Sequence, residues 1–153
     1  MNKALIICIC ILGLHSCSPK IYQMPYSAKV VFLNKDEGGT ISLNSKGFGK
    51  DVSAAIIDAQ VNAFNIVLFK GIPSTDLNVP LIENENDVIS KYAEYFADFF
   101  GRGFYQNFLM ASTLNEPPTK VKNGKSCSVD LKINIKALRI DLEQHNIIRK
   151  FGF

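Results

Sequence analysis

The densest set of groups able to do chemistry is acidic: Asp76, Glu83, Glu85 and Asp87. A glycosidase pair or a Ca²⁺ site would use such carboxylates, but their spacing lacks the ligand order of an EF-hand and its glycine. A solvated loop is the simpler account. His145 could act as a general base only with a nucleophile or carboxylate in reach. Near the last turn of a helix it more simply complements the macrodipole. Gly47-Phe48-Gly49 would place backbone N–H groups around an anion. It lacks the third glycine, the P-loop Lys-Ser/Thr and a ribose-binding context. A flexible corner between strand and helix, capped by Asp51 or Ser53, is the expectation instead. The aromatic run Tyr92, Tyr95, Phe96, Phe99, Phe100, Phe104, Tyr105 and Phe108 packs more rings together than one face of a short helix buries. Most should be core, in a chain with no Trp. Tyr92, Tyr95, Phe100 and Tyr105 are candidates for a partner or ligand patch.

The N-terminus carries a different kind of signal. Lys3 gives a short positive region and residues 4–14 an apolar one, too short for the roughly 20 residues of a membrane span. That is the build of a secretory signal peptide. Leu14-His15-Ser16-Cys17 resembles the lipobox of bacterial lipoprotein signals, with Leu three before the cysteine and a small residue directly before it. His15 is bulkier than that pattern usually has. The resemblance implies cleavage before Cys17 and fatty acylation of its thiol and new amino group. Each buried CH₂ contributes roughly 0.8 kcal/mol, and two or more chains hold a protein stably where one is marginal. Ser18-Pro19-Lys20 then begins a polar tether. By likeness to lipoprotein sorting, Ser18 in place of Asp implies the outer membrane. No acidic residue stands between Cys17 and Lys35, so no charge signal directs the chain outward, and the periplasmic face is expected. The plainer alternative is an ordinary cysteine behind an ordinary signal.

That reading bounds the rest. Cleavage leaves 137 of the 153 residues, enough for one core. The boundaries are a signal at 1–16, a lipidated tether at 17–26 and a single domain at 27–153. The formal charge of +3 falls to about +2 without Lys3, which is no polyanion-binding signature, and nucleic acid is not an expected partner. Cys8 and Cys10 leave with the signal and Cys17 is acylated, so Cys127 has no partner for an intramolecular disulfide. Its parity within an apolar strand makes it a small buried hydrophobe. His15 also leaves, and one remaining His with one free Cys excludes a Cys/His metal cluster. No cofactor is implied.

The elements that must position these residues follow from periodicity. Residues 28–33 are β-branched and apolar, a first strand; 34–39 form a turn rich in Gly. Residues 40–47 alternate, with Ile41, Leu43 and Ser45 on one face, completing a β-hairpin. From Val52, small and apolar residues recur at helical spacing, with Ala55, Ala59 and Ala63 able to lie close on a sheet and Gly71 as the stop. Residues 72–86 contain Pro73 and Pro80 and read as a loop. Residues 87–100 read as a second helix ending at Gly101-Arg102-Gly103, and 104–113 as a strand. Asn123-Gly124 signals a turn. Cys127, Val129, Leu131, Ile133 and Ile135 give the clearest alternation in the chain. Residues 136–145 form a short helix burying Leu138 and Leu142, with Asn146 in the left-handed cap position and Ile147 folded back toward Leu142. The sum is an α+β domain in the order ββααββα, with about four largely antiparallel strands and three helices on one face.

Gly47-x-Gly49 followed by Ala55-x3-Ala59-x3-Ala63, and later an alternating strand leading into a Leu-containing helix, is similar to small Gram-negative envelope lipoproteins and to the N-terminal domain of the flagellar assembly protein T. The likeness covers residues 40–69 and 126–142, and the middle third departs from it. It implies an adaptor or scaffold with no catalytic residues. The expected function is a non-enzymatic, membrane-anchored structural or assembly adaptor with an envelope protein partner. The alternative is a ligand-binding lipoprotein, or a hydrolase, with a site between the aromatic helix and the 72–86 loop.

Overall fold

The computed structural model describes residues 30–73, 75 and 77–150. Strand β1 (Val30–Lys35) turns into β2 (Thr40–Gly49) through a tight loop. Asp36 organises that loop: its Oδ1 accepts the Thr40 N–H at 3.0 Å, and Gly39 takes φ 80°, which costs a glycine little. The Thr40 hydrogen bond, helped by Lys132 at 3.4 Å, holds the Asp36 carboxyl below its ordinary range. β2 pairs on its other side with β5 (Gly124–Asn134), the longest strand. β3 (Leu109–Leu114) completes the path β1-β2-β5-β3, and β4 (Thr119–Val121) forms a hairpin with the start of β5. All pairings are antiparallel. The mixed α+β class expected from the sequence is the one found. The sheet has a fifth strand, β4, beyond the four expected, and the Asn123-Gly124 turn that joins it to β5 takes Asn123 to φ 67°.

One face of the sheet holds the core. Ile41 and Leu43 of β2 and Cys127, Val129, Leu131 and Ile133 of β5 are each no more than 2% exposed, as their alternation requires. Helix α1 (Val52–Asn65) lies across them. Asp51 starts it by accepting the Ala54 N–H at 2.8 Å. The helix sits close because β2 has no side chain where they meet. A Cβ on Gly47 would stand 2.1 Å from the Ala55 carbonyl oxygen, and one on Gly49 would stand 2.5 Å from the Ala55 nitrogen. Gly47-x-Gly49 is therefore the end of a strand pressed against a helix, not a flexible corner. Ser45 joins the same contact, its Oγ donating to the Ala59 carbonyl at 2.7 Å.

α1 runs on into a π-helical turn (Ile66–Lys70), closed where the Gly71 N–H reaches the Ile66 carbonyl at 2.8 Å with φ 73°. The stretch Val52–Lys70 is long and apolar enough to cross a membrane by length and composition, yet most of it is buried in this fold. A polar row runs along it. Asp58 accepts the Phe48 N–H at 2.9 Å and the Asn62 amide at 3.1 Å, and the same amide lies 3.2 Å from the Lys46 carbonyl. These bonds serve the end of β2 beyond Ser45, its last partner in β1 among the described residues. Neither amide atom of Asn65, a turn further on and 5% exposed, has a hydrogen-bond partner among the described residues. Burying an unpaired amide costs about 1–3 kcal/mol. Asn65→Leu, similar in shape and better in a helix, is expected to stabilise the fold by about 1 kcal/mol, read as a higher urea midpoint at unchanged slope.

The second helix departs from the single run expected. It begins as α2 (Glu85–Lys91), breaks where Tyr92 adopts φ −115° and ψ 39°, and resumes as α3 (Ala93–Phe96) with a π-helical turn (Ala97–Gly101). Residues 104–108, expected as strand, form a 3₁₀ helix (Phe104–Phe108), entered through Gly103 at φ 79°. Only from Leu109 does the chain join the sheet. The last helix, α4 (Ile135–Gln144), is capped by Asn134 and buries Leu138 and Leu142 as expected. Asn146 takes φ 56°, and the Ile147 N–H returns to the Leu142 carbonyl at 2.9 Å.

Candidate functional site

The aromatic residues gather between α1, the broken helix and α4. Phe99 is completely buried at the centre, with Phe64 edge-on at 5.8 Å and Phe108 stacked at 6.1 Å. Tyr105 is 1% exposed and lies 5.2 Å from the Phe64 ring. Its hydroxyl donates to Gln60 Oε1 at 3.1 Å, while Gln60 Nε2 donates to Ser112 Oγ at 3.0 Å. One buried glutamine thus ties α1 to the 3₁₀ turn and to β3. Burial raises the Tyr105 hydroxyl's pKa above its ordinary value. Of the four patch candidates, Tyr105 is core, and Tyr92, Tyr95 and Phe100 are half-buried. Phe100 lies edge-on to Phe99 at 4.9 Å.

The two half-buried tyrosines hold α4. Tyr92 donates to the Asn146 carbonyl at 2.6 Å, beside the left-handed cap. Tyr95 donates to Asp141 Oδ2 at 2.6 Å, and its ring lies 4.9 Å from that of His145. His145 Nδ1 is 2.9 Å from the Asp141 carbonyl and 3.6 Å from its carboxylate. The histidine therefore caps the end of α4, the place its dipole favours for a cation. A Tyr-Asp-His cluster of this kind has the components of proton-transfer chemistry. Here the Tyr95 bond joins the broken helix to α4, while the His145 contacts stay within the last turn of α4.

Burial first, then the hydrogen bond to Asp141 and its charge, push the Tyr95 hydroxyl's pKa well above its ordinary 10.0. The fold therefore disfavours tyrosinate. Its contribution to stability is complete below the pKa of an unfolded tyrosine and declines as pH rises above it. The urea midpoint is expected to fall between neutral pH and about pH 11, and Tyr95→Phe should flatten that fall while lowering the neutral midpoint slightly.

The remaining candidates are separate. Cys127 is 1% exposed, its Sγ 3.9 Å from the Val52 carbonyl, and burial raises its thiol pKa. Glu85 pairs with Lys70, and Glu83 and Asp87 are exposed. Asp76 and Cys17 lie outside the described residues. Among the described residues no three His, Cys, Asp or Glu side chains come together as metal ligands would.

The face of the sheet turned away from the helices presents Ser42, Asn44, Lys46, Ser128, Asp130 and Lys132. Asn44 donates to Asp130 at 2.6 Å and accepts from Ser128 at 3.1 Å. Exposed apolar side chains stand beside this polar ladder, with Val31 at 41%, Phe48 at 47% and Met110 at 59% exposure. Alternation in β2 and β5 makes this face readable from sequence. The placement of Phe48 and Met110 on it needed the strand pairing.

No protein-family model, no curated protein and no solved structure matches the chain. The likeness to envelope lipoproteins rests on the residues quoted for it.

Proposed function

We propose that the protein is a non-enzymatic lipoprotein of the cell envelope, held at the outer membrane facing the periplasm through acylated Cys17, and that it works as a structural or assembly adaptor for an envelope protein. The observation that carries this reading is Leu14-His15-Ser16-Cys17 behind a short positive and apolar leader, followed by a polar tether. Two features of the domain support the adaptor role. The hydroxyls of the half-buried Tyr92 and Tyr95 are engaged in bonds to α4 and to the turn that follows it. The open sheet face offers apolar side chains among hydrogen-bonding ones, the mixture found at non-obligate protein interfaces.

Cys17→Ser is expected to abolish incorporation of an alkyne-labelled fatty acid and to move the protein from the membrane to the soluble fraction. Mass spectrometry of the mature wild-type protein should find an acylated N-terminal Cys17; an unmodified N-terminus elsewhere would remove the anchor and its localisation. The adaptor role is tested by purification from detergent-solubilised envelopes. A reproducible protein partner, lost on Phe48→Lys, supports it, and a persistently lone monomer refutes it.

A further inference from the structure

The end of the sheet at which the chain enters the domain is basic. Val30 of β1 pairs with Ser45 of β2, Ser45 pairs with Val129 of β5, and Val129 pairs with Leu114 of β3. Beyond that line lie residues 46–51, residues 115–128 and the first turns of α1. They carry Lys46, Lys50, Lys120, Lys122 and Lys125 against Asp51, Glu116 and the buried Asp58. Lys125 is half-buried and the other four lysines are exposed. None of the five makes an ion pair among the described residues. The β4–β5 hairpin concentrates this charge. Lys120 and Lys125 are directly opposite in its ladder, an arrangement that costs stability for like charges, and Lys122 stands in the turn between them. Lys50 comes up to the same turn: a Cβ on Gly124 would lie 3.6 Å from the Lys50 Cα. Residues 27–153 hold fifteen Lys and Arg against fourteen Asp and Glu, so the excess at this end leaves the rest of the domain slightly negative.

We propose that this end of the domain docks on an anionic phospholipid surface, so that the protein meets the bilayer through its lysines as well as through its anchor. The choice of a bilayer rests on the lipid-anchor reading. The chain from Cys17 to Val30 spans at most about 45 Å when fully extended. The hairpin turn lies about 17 Å along the strands from the level of Val30, at the end from which the tether leaves. An anchor at Cys17 therefore keeps these lysines within reach of the headgroups. A lysine close to an anionic bilayer strengthens attachment about fivefold, and clusters of four to eight basic residues are the usual size of such patches. Because the anchor makes docking intramolecular, a patch too weak to hold the bilayer alone suffices.

An acidic protein surface would match the same charge. The position of the lysines at the tethered end is what selects the bilayer. Docking by this end stands the strands steeply on the membrane and leaves the polar ladder of Ser42, Asn44 and Ser128 open to a protein partner. The opposite end then faces away. It holds Gly39, whose carbonyl accepts the Lys136 N–H at 3.2 Å, and Asp36, which pairs with Lys132 at 3.4 Å.

The test uses the protein as purified from detergent-solubilised envelopes, placed in nanodiscs that contain a lipid with a gadolinium-chelating headgroup. Amide relaxation is compared between phosphatidylcholine discs and discs that also contain phosphatidylglycerol. Phosphatidylglycerol should raise the docked population by at least about fivefold, read as faster relaxation at Gly49, Asn123 and Gly124 with none at Gly39 or Lys136. Lys120→Gln, Lys122→Gln and Lys125→Gln together should remove that gain, with the resonances of Leu131 and Ile133 unchanged as evidence of an intact fold. Added salt should do the same to wild type. Equal relaxation in the two lipids, indifference to the three substitutions, or the strongest effect at Gly39 and Lys136 would overturn the proposal. Loss of a copurifying acidic protein on the same substitutions, with no dependence on lipid, would also overturn it and give the patch to that protein. An unacylated N-terminus together with lysine-dependent binding to phosphatidylglycerol vesicles would remove the anchor and still support the lipid-binding patch.

Discussion

Gly47→Ala is expected to destabilise the domain by about 3 kcal/mol, lowering the thermal midpoint by about 10 °C or more. The added methyl would meet backbone: the Ala55 carbonyl oxygen at 2.1 Å, the Ala59 nitrogen at 2.3 Å and the Ala59 Cα at 2.9 Å. Backbone atoms inside a helix cannot rotate away as a side chain can, so α1 must lift from the sheet. Lifting it would strain the Ser45 bond to Ala59 and the Asp58 bond to Phe48, and would open space beneath Phe64. Gly101→Ala is the matched control. A Cβ there meets nothing within 4 Å, and the substitution should change stability by less than about 1 kcal/mol. Urea unfolding of the two variants beside wild type decides the matter. Equal midpoints for Gly47→Ala and wild type would mean that the helix does not sit this close in solution.

Phe99→Ala is expected to cost about 3–5 kcal/mol, the usual range for removing a fully buried aromatic side chain. Phe99 is 0% exposed and contacts rings from α1, from its own segment and from the 3₁₀ turn, so no single neighbour can close the hole. The loss should appear in thermal unfolding and as faster amide exchange in the 3₁₀ turn. Phe104→Ala, at a ring that is 38% exposed, should cost about 1 kcal/mol or less. If the two variants proved alike, the aromatic cluster would be looser than its packing indicates, and a ligand site among the rings would regain ground.

What was legible in the chain was whatever has one wet and one dry side. β2, β5 and α4 each bury one set of positions and expose the other, so their periods and faces emerge directly from residue type. The caps at Asp51, Gly71 and Asn146 were legible because each does a job few residues can do. β3 was harder, because an edge strand exposed along five of its six residues has no dry side to reveal, and a bulge near Met110 shifts its register. Phe104 and Phe108 share a strand's parity and also stand four apart, as on a helix; Gly103 in the left-handed region turns the chain into the second alternative. β4 is three residues long and owes its existence to β5. The aromatic run was readable as core, but the partners of its hydroxyls were not, because Gln60, Asp141 and Asn146 are remote in sequence.

The polar row inside α1 also bears on how the chain reaches its destination. On the proposed route the polypeptide crosses a membrane unfolded, and Val52–Lys70 must do so without lodging there, although its length and hydropathy suit a bilayer. An aspartate near the middle of an inserting helix costs about 3 kcal/mol, and Gln60, Asn62 and Asn65 add further cost beside Asp58. Polar residues that the finished fold buries would thereby keep the segment from acting as a stop-transfer signal. On this account Asn65→Leu, a gain for the folded domain, would be a hazard in transit.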